Sequence, residues 1–192
     1  ESSCWVRASQ AWGGSGMGII FTPRIGHEVL ISFLEGDPDR PIITGRLYHG
    51  INLPPYELPG EKTKSTIKTM STPGGGGFNE LRFEDSAGAE QVYIHAQKDW
   101  DTDVLNDKTL TVGNDSSSTI GNNRTISVGN DRSKSVGNNQ TVTIGNDHSE
   151  TIGNNETETI GSSRTISVGT NHTESIGANM SIDIGANLTE NV

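Results

Sequence analysis

The sequence predicts an all-β protein, with a small barrel or sandwich at the front and a β-helical rod behind it. Three observations support this prediction. A glycine falls on every eighth residue from Gly113 to Gly185, and valine or isoleucine precedes each one. Short β-type segments separated by turn residues fill the front of the chain. A fixed short period indicates a repeat architecture, whose units are too small to fold alone and stack on their neighbours.

Aligned on its glycine, the octad typically reads Gly, Asn, Asn or Asp, a variable residue, Thr or Ser, a second variable residue, usually Thr or Ser, then Val or Ile. Gly153–Ile160 is representative. Glycine followed by Asn or Asp predicts a corner, because both reach left-handed backbone angles at low cost. The Thr, Ser, Val and Ile that follow suit a strand. The first copy, Leu105–Val112, has Leu105 in place of glycine, as expected of a capping unit.

The residues that we expect to shape the rod fall in two sets of ten. The corner glycines are Gly113, Gly121, Gly129, Gly137, Gly145, Gly153, Gly161, Gly169, Gly177 and Gly185. The apolar residues before them are Val112, Ile120, Val128, Val136, Ile144, Ile152, Ile160, Val168, Ile176 and Ile184. We interpret the second set, called the apolar stripe below, as the core of the rod.

Strand alternation places the residue two before each stripe residue on the same face. That position is apolar in some copies, such as Ile126 and Val142, and charged in others, such as Lys134 and Glu150. We interpret it as lying near a corner and partly hydrated. One guaranteed apolar residue gives each octad about 1.5–3 kcal/mol on burial. Ordering eight residues costs about 1–2 kcal/mol each. The deficit favours three chains wound around one axis.

The chain is expected to divide into a barrel at residues 1–60, an extended linker and hairpin at 61–104, and octads at 105–192. The front strands are predicted at Trp5–Gln10, Met17–Phe21, Glu28–Leu34 and Pro41–Tyr48. We expect the barrel to lack its first strand, because the chain opens inside a strand-like segment. Thr63–Met70 is predicted to be extended and Gly74–Gly77 to be a flexible joint, followed by a hairpin of Asn79–Glu84 with Gln91–Ala96.

Composition narrows the function classes. The net charge is −10 without a basic stripe or tail, so nucleic acid is an unexpected partner. Cys4 is the only cysteine, which excludes an intrachain disulfide and a cysteine-based zinc site. No apolar run approaches the roughly 20 residues of a membrane span. We expect no cofactor and no resident metal.

The front half resembles VgrG, the spike protein family of bacterial type VI secretion systems, and more distantly the needle proteins of contractile phage tails. The matching segments are Ser3–Arg7, Gln10–Trp12, Pro23–Val29, Phe33–Ile42, Thr44–Arg46, Asn79–Asp85 and Tyr93–Ala96. The resemblance implies an oligonucleotide/oligosaccharide-binding (OB) barrel followed by an intertwined three-chain β-helix.

The resemblance also implies a function. It indicates a non-enzymatic homotrimeric spike that caps a tube of Hcp rings, binds a PAAR tip protein, carries effectors and crosses a target membrane transiently. Such a spike would lie in the bacterial cytoplasm before firing and outside the cell, or in the target cell, afterwards. The alternative is a carbohydrate-binding or depolymerising trimeric β-helix of the phage tailspike kind. That function needs a carboxylate pair or an aromatic platform, and the octads contain no aromatic residue.

Other patterns suggest chemistry only weakly. Asp99, Asp101 and Asp103 have the spacing of a calcium loop, but the glycine and closing glutamate that such a loop needs are Val104 and Leu110. The remaining candidates are three turn acids, two histidines at one variable octad position and the glycine run: Glu35, Asp37, Asp39, His148, His172 and Gly74–Gly77. Turn, solvent and hinge roles are the simpler interpretations. A monomeric ice-binding solenoid would leave the front half unexplained.

Overall fold

The computed structural model describes residues 4–190; Ser3 of the first matching segment and Val192 of the last octad lie outside this range. The described part is all-β, as predicted, with eight strands and one 3-10 helix at Leu34–Gly36. It divides into two units, Glu1–Ser116 and Ser117–Val192. No helix in the described residues is long and apolar enough to cross a membrane.

The front segments form two small sheets. The strands are β1 (Arg7–Ala8), β2 (Gly13–Gly14), β3 (Met17–Gly18), β4 (Glu28–Phe33) and β5 (Pro41–Leu47). In the larger sheet β5 is central, parallel to β1 and antiparallel to β4, with a register shift between Leu30 and Ile31. β2 and β3 pair with each other. Each predicted front strand contains an observed one, and β4 and β5 match their predictions to within a residue.

A second three-stranded sheet follows, here called the meander sheet: β6 (Lys64–Met70), β7 (Phe78–Glu84) and β8 (Gln91–His95), all antiparallel with β7 central. The extended segment and the hairpin are therefore confirmed. The glycine run is not a joint between bodies, because it connects β6 to β7 within this sheet. Ser71 N–H donates to the Gly77 carbonyl at 2.8 Å and closes the connection. Gly74 and Gly76 have φ of 54° and 65°, which glycine adopts readily.

The octads form extended segments separated by bends, one at every glycine and the residue after it, and one at Leu105–Asn106. The predicted period of corners is thus confirmed. Within residues 105–190 no backbone hydrogen bond joins two residues of the same chain. A single-chain solenoid would pair each rung with the rung above it, so the segment lacks the ladders of that architecture.

The reason given for the corner glycines needs correction. None of the ten has φ in the left-handed region. A Cβ placed on any of them, Gly145 included, would meet no atom of its own chain within 4 Å. The requirement for glycine therefore does not arise from the backbone conformation or from contacts within one chain.

The chain has no apolar core of its own in the described residues, because no hydrophobic side chain there is buried. The buried positions are Gly77 and Glu80. Burial of apolar surface is the dominant favourable term in folding. The single chain therefore lacks this favourable contribution to its folding free energy unless another surface covers its apolar side chains.

Candidate functional site

The apolar stripe is the most regular surface of the molecule. Its ten side chains are all exposed, within a narrow range of 40–48%. The range is narrow because each residue occupies the same place in a repeated backbone. Large contiguous apolar surface on a soluble protein marks an interaction site. A stripe repeated at every corner can bind along its whole length.

The second position on the same face differs. Its apolar members, Leu110, Ile126, Val142, Ile166 and Ile182, are 50–79% exposed. They are therefore less shielded by their own chain than the stripe residues. This difference agrees with the interpretation of the stripe as the more inward position and of its neighbour as the more hydrated one.

Charged side chains lie between successive corners of the rod. Arg164 Nη1 lies 2.7 Å from Glu158 Oε2, a contact that spans the corner at Gly161. His148 Nε2 lies 3.9 Å from Glu150 Oε2, with both side chains about two-thirds exposed. Both pairs are open to solvent, so each contributes little to stability by itself. His148 and His172 are exposed, as the solvent interpretation predicts.

One face of the meander sheet, called the polar face, is organised around Glu80, whose side chain is 2% exposed. Glu80 Oε1 accepts hydrogen bonds from Tyr56 Oη at 2.5 Å and from Thr66 Oγ1 at 2.8 Å. Lys68 Nζ lies 3.9 Å from Glu80 Oε2. A buried carboxylate is stable only when paired and hydrogen-bonded, and Glu80 meets both conditions. The contacts hold the proline-rich segment around Tyr56 against the sheet.

The environment of Glu80 shifts two pKa values. Burial raises the pKa of Glu80, but the hydrogen bonds from Tyr56 and Thr66 and the charges of Lys68 and Arg82 outweigh it, so the pKa lies below 4.5. Burial, with the hydrogen bond to Glu80, raises the pKa of Tyr56 above 10.0. Glu80 is thus an ionised acceptor and Tyr56 a neutral donor at neutral pH.

Arg82 extends this network across the sheet. Its Nη1 donates to Tyr56 Oη and its Nη2 to Gln91 Oε1, both at 2.9 Å. Its guanidinium lies 4.4 Å from the centre of the Tyr93 ring. Tyr93 and Phe78 both stack on His95. These contacts fix the side chains of the polar face against one another and hold Tyr56 on the sheet.

The candidate catalytic residues make hydrogen bonds within their own turn, and the candidate metal ligands do not form a cluster in the described residues. In the turn between β4 and β5, Glu35 Oε2 accepts a hydrogen bond from Arg40 Nη1 at 3.1 Å. Asp37 Oδ1 accepts one from Asp39 N–H at 2.9 Å. In the described part of the chain, no three His, Cys, Asp or Glu side chains form a group that could hold a metal ion. Asp99, Asp101 and Asp103 are exposed.

The sequence interpretation missed the Tyr56–Glu80–Arg82 network. It placed Tyr56 within the barrel at residues 1–60, and it predicted Asn79–Glu84 only as one strand of a hairpin. The alternation within Asn79–Glu84 held a signal, because Glu80 and Arg82 share one face while Leu81 and Phe83 share the other. The partner of Glu80 lies 24 residues away and follows no period.

Two families match the chain. Residues 65–176 and 121–192 match the bacteriophage T4 gp5 C-terminal trimerisation domain. Residues 1–48 match the type VI secretion system/phage-baseplate injector OB domain. The match over the larger part of the chain therefore defines the class as proteins with a gp5-type trimerisation domain. The chain belongs to the gp5-type trimerisation family, in the branch of the VgrG spike proteins.

The relatives support this placement. The type VI secretion system spike protein VgrG5 of Pseudomonas aeruginosa is 53% identical over 120 residues, which is 62% of this chain and 15% of the relative. Spike protein VgrG3 of Vibrio cholerae is 54% identical over 62% of this chain and 12% of its own length. The V. cholerae actin cross-linking toxin VgrG1 is 57% identical over 62% of this chain and 11% of its own length. The chain thus spans about a seventh or less of these relatives.

Proposed function

We propose that this chain is the rod-forming part of a homotrimeric puncturing spike of a type VI secretion system. Its mechanism is stiffness. Three chains wind around one axis, and force passes along a rod whose chains cannot slide without breaking the hydrogen bonds that they share. The proposal extends the family membership, because trimerisation is the named property of the matching domain.

The observation that supports this proposal most is the unpaired backbone of the octads. Residues 105–190 lack backbone hydrogen bonds within the chain. Groups left unpaired in a dry interior are costly, so native backbones pair more than nine-tenths of the buried ones. Strands from two further chains would supply the partners. They would also cover the stripe at every level.

We assign the three parts of the chain accordingly. Residues 1–60 form the OB-type barrel, residues 61–104 link it to the rod, and residues 105–192 form the triple-stranded β-helix. The ten stripe residues form its axial core. The corner glycines allow neighbouring chains to approach, because nothing in their own chain fills the space beside them.

The proposed partners follow from the relatives' role as type VI spike proteins. They are the Hcp tube at the base, a PAAR protein at the tip, and a secreted effector. The spike would wait in the cytoplasm and leave the cell with the apparatus. The name of one relative, an actin cross-linking toxin, indicates that a spike protein can itself carry an activity.

We propose no enzymatic activity for the segment itself. Glu35, Asp37 and Asp39 make contacts within their turn, as described above, which supports a structural role. Alanine at all three positions should leave target-cell killing unchanged wherever the spike still assembles. Loss of killing by a variant of normal trimer mass would instead favour the enzymatic alternative.

Molecular mass in solution tests the proposal directly. Light scattering on the purified chain of 20.5 kDa should give three times that mass. The variant Glu156→Ala, at an exposed variable position, is the matched control and should give the same trimer. A monodisperse monomer at micromolar concentration would exclude the intertwined rod.

A further inference from the structure

The second face of the meander sheet, called the apolar face, is largely uncovered and borders a cavity. Ile67, Leu81 and Ile94 line this cavity together with Asp99, Trp100 and Asp101 of the following segment. The side chains on it alternate with those of the polar face, so they project to the other side of the strands. Ile67, Leu81 and Ile94 are register partners across the three strands. Phe83 and Val92 form a second row. Four of these five side chains are 41–65% exposed, and Leu81 is half-buried.

The two faces of this sheet are used in opposite ways. The polar face is covered within the chain by the Tyr56–Glu80–Arg82 network, in which the buried Nε of Arg82 has no hydrogen-bond partner. Antiparallel sheets in soluble proteins bury their apolar face and expose the polar one. Here the buried carboxylate is covered by its own chain and the apolar side is left open. The sheet can form in one chain, but a further surface must cover its apolar face.

The occupant that fits is the same face of two further copies. The match to the trimerisation domain begins at residue 65, inside β6, so this sheet belongs to the trimerising region together with the octads. The remaining residues on the apolar face are Ser65, Thr69 and Asn79, which carry no formal charge. No charged side chain of the strands themselves therefore enters the contact. Asp99 and Asp101 of the following segment line the same cavity as Ile67, Leu81 and Ile94, and they bring like charges near it.

The octads need such a contact because they do not define their own register. A slip of one chain by eight residues places glycine against glycine and stripe residue against stripe residue. Strand register is weakly specified wherever the pattern survives a shift. The meander sheet is not repetitive, and only residues 96–104 separate β8 from the first octad. Three sheets docked at one level would start all three octad arrays together.

We propose that the apolar face of the meander sheet docks three copies of the chain and sets the register of the octad rod. This inference rests on the proposed trimer and adds a separate role for residues 64–95. The rod supplies length and stiffness. The sheet selects one alignment among several of nearly equal energy.

Two variants of β8 with the same change in charge test the proposal in the full chain. Ile94→Glu places a carboxylate on the apolar face. Gln91→Glu places one on the polar face, where a carboxylate can still accept from Arg82. Both carry Cys4→Ser, which removes the only native cysteine. They also carry Glu156→Cys with a spin label as a register reporter.

Pulsed electron–electron double resonance then measures the distances between the spin labels of the three chains. The parent is the chain that carries only Cys4→Ser and the spin-labelled Glu156→Cys. The parent and Gln91→Glu should each show one narrow distance, because three labels at one level of the rod are equally spaced. Ile94→Glu should lose this single distance and show several distances, which differ by multiples of the rise of one octad. Otherwise Ile94→Glu should fail to form the trimer while Gln91→Glu still forms it. In the second case the milder Ile94→Ala should show the mixed distances.

The failures of the two proposals are distinguishable. A trimeric Ile94→Glu with the single narrow distance of the parent would overturn the docking proposal and leave the trimer intact. A monomeric parent would overturn the trimer itself. Circular dichroism of the two β8 variants, compared with that of the parent, shows whether the sheet has formed.

Discussion

Truncation of one stripe residue tests where the axis of the rod lies. Ile144 is 45% exposed in the single chain, and Val142, two residues earlier on the same face, is 66% exposed. Burying an isoleucine completely is worth about 1.5–3 kcal/mol. Covering the exposed 45% of Ile144 therefore contributes about 0.7–1.4 kcal/mol per chain. Three copies meet at one level, so the trimer gains about 2–4 kcal/mol there.

Ile144→Ala should lower the melting temperature of the trimer by roughly 1–6 °C, from about 2–4 °C per kcal/mol for chains of this size. Val142→Ala should change stability by less than about 0.5 kcal/mol, because we place Val142 in a hydrated corner. Thermal unfolding followed by circular dichroism measures both, at one fixed protein concentration since association links melting to concentration. Equal losses in the two variants would refute the assignment of the axial position.

Three further predictions concern other levels of the structure. Gly145→Val should sharply reduce the resistance of the trimer to heat and detergent, because a β-branched side chain enters the space beside a corner on three chains at once. Glu156→Ala should leave this resistance nearly unchanged. Equal resistance of the two variants would contradict close approach of the chains. Glu80→Gln should lower the stability of the fold at neutral pH and should make that stability less dependent on pH below 4.5. The lowered pKa of Glu80 stabilises the fold above pH 4.5, and this contribution is lost as the pH falls through the folded-state pKa. The exposed Glu28→Gln is the control, and acid-unfolding curves of the same shape for the two variants would contradict this role. Electron microscopy should show a rod of roughly 50 Å for residues 105–192, at about one strand spacing of 4.8 Å per octad, whereas a single-chain solenoid would be roughly a third as long.

The sequence predicted those features that depend on local patterns. The period of the octads placed every corner, from the capping unit at Leu105 to Gly185. Strand-type composition and turn residues located β4, β5 and β6, and alternation supported the hairpin of β7 and β8. These elements are readable because the spacing of side chains along a strand, and the preference of glycine for bends, act over a few residues.

The features that the sequence did not predict depend on distant contacts. Tyr56 and Glu80 lie 24 residues apart, and nothing in either segment indicates that the Tyr56 hydroxyl donates a hydrogen bond to the Glu80 carboxylate. The glycine run was misassigned for a related reason, since composition shows that a chain can turn but not which strands it then pairs. The reason given for the corner glycines was wrong, because the described chain shows neither a left-handed backbone at these positions nor an atom close to them.

Stiffness in the proposed rod follows from the same absence of contacts within one chain. A domain with its own core can detach from its neighbours and remain folded. An octad array with no backbone hydrogen bonds of its own has no such intermediate, because separating one chain breaks its hydrogen bonds and exposes its stripe at every level together. Cooperative loss of many weak contacts gives a high barrier to unfolding, although each level contributes only a few kcal/mol. A spike that must resist force along its axis benefits from this arrangement, because no single rung can yield alone.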